Sequence, residues 1–135
     1  NRNAPEMGER LKKRQIRANL IASSPAVRAR RTAEVIADRL GLKPEEIYFD
    51  NDLYLADTSV LMNFVQNCDD AVDCLMLFGH NPGITEFCNY LTGERIDNIP
   101  TCGIATLQQN GSSWNNFTKG SAKLIHYDYP KKGKG

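Results

Sequence analysis

A continuous apolar run, Cys74-Leu75-Met76-Leu77-Phe78, stops at Gly79-His80-Asn81-Pro82-Gly83. A run without polar alternation predicts a strand buried on both faces, as in a parallel sheet covered by helices. The same grammar occurs earlier. Asn19-Leu20-Ile21-Ala22 reads as a short buried strand, and Ser23-Ser24-Pro25 leads out of it into a helix. Ser24 is placed to cap that helix and Pro25 suits its first position. Ala26, Ala29, Ala33, Ile36, Ala37 and Leu40 recur at helical spacing, and Gly41 supplies the stop.

The rest of the chain extends the pattern. Residues 4–17 read as an amphipathic helix, Ile47-Tyr48-Phe49 as a strand, and Asp57 or Thr58 as the cap of a helix carrying Val60, Leu61, Phe64 and Val65. Pro82 can open a helix that Gly93 closes. Residues 101–107 and 122–127 read as strands, with Asn110-Gly111 as a hairpin turn between them and a flexible polar tail over 131–135. Alternating strands and helices followed by a hairpin predict one α/β domain over residues 1–135. Its architecture is three-layer α/β/α, with a mostly parallel sheet and a C-terminal antiparallel hairpin. The chain opens on a helix, whereas such domains commonly open on a central strand. The first central strand is therefore expected to be missing from these residues.

The 135 residues suffice for a single core, and 41% of them are hydrophobic. No apolar run approaches the roughly 18 residues of a membrane helix, and no apolar signal segment opens the chain. A cytoplasmic location without a membrane partner is expected. Residues 1–43 hold eleven Lys/Arg against four Asp/Glu, residues 44–100 one against eleven, and residues 101–135 five against one. The basic run over residues 10–17 carries no aromatic residues, which argues against stacking on nucleic acid. Cys68, Cys74, Cys88 and Cys102 form no C-x-x-C pair and have no zinc-like spacing to His80 or His126, so neither a metal nor another cofactor is expected. The carboxylate pairs Glu45-Glu46 and Asp69-Asp70 read as solvated.

Chemistry concentrates at the two strand-to-helix junctions. Strand ends of one parallel sheet open on a common edge, where such folds bind ligands. Helix N-termini there present free N–H groups and a partial positive charge. An arginine and a histidine added to that edge make an anion site, for phosphate or sulfate. Arg28, Arg30 and Arg31 compete for the arginine role. Arg31 lies opposite the apolar stripe, and nearness to the helix start favours Arg28. His80 sits in a frame of small residues that lets a ligand approach the backbone. His126, inside a terminal strand, reads as structural. Ser23 and Asn81, at the same junctions, are further candidate phosphate ligands. Asp57 is a candidate proton donor, with capping as its simpler role.

The segment Ser23-Ser-Pro-Ala-Val-Arg-Ala-Arg-Arg-Thr-Ala-Glu34 resembles the S-S-P-x-x-R-A-x-x-T-A-E segment of the histidine phosphatase superfamily. Phe78-Gly-His-Asn-Pro-Gly83 resembles its second-histidine motif. Asp52-Leu-Tyr-Leu-Ala56 and Pro100-Thr-Cys-Gly-Ile-Ala105 resemble segments of the phosphohistidine phosphatase (SixA-type) branch.

The resemblance implies a metal-independent phosphatase. A histidine attacks the phosphoryl group, water releases phosphate, and two arginines and a second histidine surround the phosphoryl oxygens. By motif, Arg28 is one of those arginines and His80 the second histidine. The nucleophile of the family follows an arginine in an Arg-His-Gly or Arg-His-Ala motif, and no Arg-His dipeptide occurs here. The nucleophile is thus expected upstream of Asn1, in an N-terminal segment of roughly thirty residues, and the 135 residues alone are expected to be inactive. The expected substrate is a phosphorylated protein, carrying phosphohistidine, or a small phosphomonoester. A non-catalytic phosphate-binding or interaction module is the alternative reading, and a mutase-like phosphotransferase the third.

Overall fold

A computed structural model describes residues 2–109 and 111–132. Its elements run α1 (Asn3–Lys13), β1 (Leu20–Ser23), α2 (Val27–Arg39), β2 (Ile47–Phe49), α3 (Thr58–Gln66), β3 (Leu75–Phe78), α4 (Gly83–Thr92), β4 (Ile104–Gln109) and β5 (Ala122–Asp128). Strands β2, β1 and β3 form a parallel sheet in that order, with Ile21 opposite both Ile47 and Met76. Strands β4 and β5 form a separate antiparallel pair.

Alternation along β1 divides the core. Ile21 packs with Ala33, Ala37 and Ile47 beneath α2, whereas Ala22 packs with Leu61, Val65, Phe87 and Leu91 of α3 and α4. Helix α1 lies on α2, and α3 on α4. This is the layered α/β architecture read from the sequence. Gly41 and Gly93 follow α2 and α4 with φ of 80° and 79°, the left-handed geometry a C-terminal glycine supplies.

Several local expectations are corrected. Helix α1 ends at Lys13 rather than residue 17, and Gln15 takes a φ of 60°. Helix α2 starts at Val27 without a side-chain cap, because the Ser24 hydroxyl accepts from the N–H of Ala26 at 3.2 Å. The two strands of the expected hairpin are present, β4 ending at Gln109 and β5 starting at Ala122. Asn110 itself lies outside the described residues, as do residues 133–135 of the tail. Trp114 pins the connection between these strands by donating its indole N–H to the Val72 carbonyl at 2.7 Å. The Asp70 carboxylate, exposed as expected, also accepts from the Ser113 hydroxyl and the Trp114 N–H and so helps to hold this loop.

Strand β3 departs most from expectation. Its residues are half-buried, not fully buried. One edge pairs with β1; the other borders a cavity of about 900 Å³. Every residue from 73 to 81 lines that cavity, and so does every residue from 99 to 109. A strand face contributes alternate residues, whereas a strand edge contributes consecutive ones. The cavity is therefore a slot bounded by the open edges of β3 and β4, with α2 residues such as Ala29 and Ile36 on one side and α4 residues such as Phe87 and Leu91 on the other.

Candidate active site

Parallel pairing places Ser23 opposite Phe78, so β1 and β3 end together. The Ser24 N–H donates to the Phe78 carbonyl at 3.1 Å, which extends the register one residue further. His80, two residues beyond β3, brings Nε2 within 2.7 Å of the Ser24 hydroxyl. Ser24 is fully buried. The ring of Tyr54 meets the imidazole edge-on, with centroids 5.6 Å apart.

The first turn of α2 supplies the cation. Arg28 is exposed and borders the same cavity as His80. It has no carboxylate partner among the described residues. Arg30 is engaged elsewhere, donating to Glu34 at 3.4 Å with its guanidinium over the Phe49 ring. Neither Arg30 nor Arg31 borders the cavity. The α2 N-terminus, uncapped by any side chain, leaves its first N–H groups at the same mouth. A guanidinium, an imidazole and free N–H groups bordering one cavity are groups of the kind that can bind a tetrahedral oxyanion.

The remaining sequence candidates are placed as follows. Ser23 is fully buried and its hydroxyl donates to the Ser24 carbonyl at 2.8 Å, which leaves it closed to a ligand in this arrangement. Asn81 borders the cavity, but its amide is committed. The Nδ2 group donates to the Ile99 carbonyl at 2.8 Å, and Oδ1 accepts from the Thr85 hydroxyl at 2.5 Å. Thr85, buried, also accepts from the Ile99 N–H at 3.0 Å, so Asn81 and Thr85 fix the segment entering β4. Asp57 caps α3, accepting from the Val60 N–H at 3.1 Å and the Ser59 hydroxyl at 2.9 Å. The Val60 N–H foremost, and the Ser59 hydroxyl next, hold its carboxyl below the usual range. A carboxyl held in its charged form suits a cap better than a proton donor. His126 lies in β5 opposite Thr106 and does not border the cavity.

Sequence reasoning missed the contact of Ser24 with His80, having assigned the serine to helix capping. A serine before Pro reads as a cap in either case; only the register of β1 on β3 brings it to the histidine. The sequence profile of the histidine phosphatase superfamily (branch 1) matches residues 1–53, a span that includes Ser24 and Arg28. No curated protein matches the chain. Among solved structures, the protein histidine phosphatase SixA complexed with tungstate superposes with a TM-score of 0.79 at 21% identity, over 95% of this chain and 79% of that one. The chain has the histidine phosphatase fold. A phosphohistidine phosphatase SixA from Nakamurella multipartitia gives 0.83 at 17% identity, over 96% of this chain and 80% of that one. A third, from Agrobacterium tumefaciens, gives 0.74 at 23%, over 94% and 78%. The resemblance read from the motifs is thus met by the profile over residues 1–53 and by the fold over nearly the whole chain. In the histidine phosphatase fold of this chain, Ser24, Arg28 and His80 gather at the strand ends.

Proposed function

We propose that the protein is a phosphatase that removes a phosphoryl group from a histidine of a protein substrate, or from a small phosphomonoester. The convergence of Arg28, His80 and the α2 N-terminus on one mouth carries this reading. The transferred phosphoryl spreads negative charge over its oxygens, and fixed cationic donors meet that charge without a metal ion. The tungstate in a structure of similar fold is a tetrahedral dianion of the kind such a mouth suits.

In the proposed reaction a histidine nitrogen attacks phosphorus while the P–N or P–O bond to the leaving group breaks and the leaving group takes up a proton. Water then attacks the phosphohistidine, the enzyme's P–N bond breaks, and orthophosphate departs. His80 stabilises the phosphoryl oxygens and is not the nucleophile. We place the nucleophile in a strand upstream of Asn1 that would occupy the slot between β3 and β4. Two facing open strand edges in an apolar space support that placement. A cytoplasmic location fits four cysteines that form no disulfide and the lack, among the described residues, of a helix long and apolar enough to cross a membrane.

The test is hydrolysis of an aryl phosphate by the protein translated from its complete reading frame, with a chelator present. Turnover is expected, with His80→Ala lowering kcat by roughly 10²–10⁴-fold. Unimpaired turnover in His80→Ala would falsify the assignment. Absence of an Arg-His dipeptide favours a second reading, a phosphate-binding module. Saturable phosphate binding, lost in Arg28→Ala, without turnover would establish it.

A further inference from the structure

Between a 3-10 turn at Asn51–Leu53 and helix α3, the chain makes a short excursion whose ends are buried and whose tip is exposed. Leu53 is fully buried, and Ala56 is buried. Helix α4 holds the excursion closely: a Cβ on Gly83 would lie 2.0 Å from the Ala56 carbonyl oxygen. Between these anchors Tyr54 and Leu55 stand in solvent, 56% and 65% exposed. Leu55 also carries a φ of 52°, a left-handed conformation strained for a non-glycine residue. Folding gains little from an exposed leucine held there. Val27, the first residue of α2 and the one before Arg28, is 61% exposed.

These side chains stand beside the anion site and are not part of it. Tyr54 rests on His80, Leu55 borders the cavity with His80 and Arg28, and Val27 precedes Arg28. A free phosphate ester would be held by the charged mouth alone. A phosphorylated side chain standing on a protein brings a surrounding surface with it, and that surface must meet whatever rims the mouth. The rim is largely apolar and lies beside the exposed cation Arg28, which suits an apolar spot around an anionic side chain.

We infer that Val27, Tyr54 and Leu55 form the docking rim for the phosphoprotein, and that this rim sets a preference for protein-borne phosphoryl groups over free ones. The inference rests on the phosphatase reading. The test uses the complete protein and two substrates with the same bond: phosphoramidate, and a small carrier protein phosphorylated on histidine with phosphoramidate. Leu55→Gln and Val27→Gln remove apolar surface without adding charge near the phosphoryl group. Leu55→Gly removes the side chain where glycine relieves the backbone, so its Tm stays within a few degrees of wild type. Each variant is expected to lower kcat/KM for the carrier protein at least about tenfold through KM, with phosphoramidate hydrolysis unchanged. Equal loss on both substrates would assign Leu55 and Val27 to the chemistry and overturn the rim. No loss on either would overturn it too. Wild-type protein inactive on both substrates would instead sink the phosphatase reading, and the rim with it.

Discussion

The Ser24 hydroxyl bonds the Ala26 N–H at 3.2 Å and the His80 Nε2 at 2.7 Å. One buried oxygen thus ties the start of α2 to the imidazole at the end of β3, and with it the two halves of the anion mouth. The hydroxyl donates to a bare Nε2 or accepts from an Nε2–H, according to the imidazole tautomer.

If His80 acts as proposed, Ser24→Ala is expected to lower kcat by about tenfold, the worth of one hydrogen bond to the imidazole, with little change in KM. The imidazole ¹⁵N spectrum reads the cause directly. A wild-type Nε2 resonance that stays put in Ser24→Ala would show that the serine does not orient the ring.

Gly83→Ala is expected to destabilise the protein by about 1–3 kcal/mol or more, since the new Cβ would stand 2.0 Å from the Ala56 carbonyl oxygen and backbone must move. Chemical denaturation measures the loss. Because the displaced segment carries Tyr54, activity should fall at temperatures where the variant is still folded.

Arg10 joins the two ends of the described chain. It pairs with Glu6 on its own helix, and donates to the Asp128 carboxylate at 2.9 Å and to the Tyr129 and Pro130 carbonyls at 3.0 Å. Arg10→Lys keeps the charge but loses the fork that reaches all these acceptors. A loss of about 1–2 kcal/mol in unfolding free energy is expected, and wild-type stability in the lysine variant would show the charge alone to suffice.

Asp57 gives an acid dependence. Its carboxyl is held below the usual range by the Val60 N–H and then the Ser59 hydroxyl. The native state thus binds a proton less readily than the unfolded chain. Its contribution is whole above the unfolded carboxyl value and drains away as pH falls through the native one. Asp57→Asn still caps the helix but does not titrate. Its stability should fall less between pH 5 and pH 2, and parallel curves for the two proteins would contradict the assignment.

The parallel sheet was legible because β1 and β3 are written as apolar runs ending in small residues, and Gly41 and Gly93 mark helix ends by a conformation few other residues take. Arg28 could be narrowed but not chosen, since helical periodicity treats Arg28 and Arg30 alike; Glu34 and the Phe49 ring separate them by occupying Arg30. The half-burial of β3 was hidden because an apolar run looks the same whether its second edge is paired or open. The anchoring of the β4–β5 connection was not legible, because the bonds from Trp114 to Val72 and Asp70 act from more than 40 residues away.

The open slot divides the molecule thermodynamically. A two-stranded ribbon is marginal on its own, and β4–β5 is joined to the rest through Ala122 and Leu107 packed on the core of α3 and α4, the Arg10 bonds, and single bonds such as Gln66 to the Phe117 carbonyl. Amide exchange in the ribbon should then proceed through partial openings that leave β1 and β3 protected, two cooperative units in place of one. A strand laid in the slot would fuse them, and the ribbon amides would slow to the rate of global unfolding.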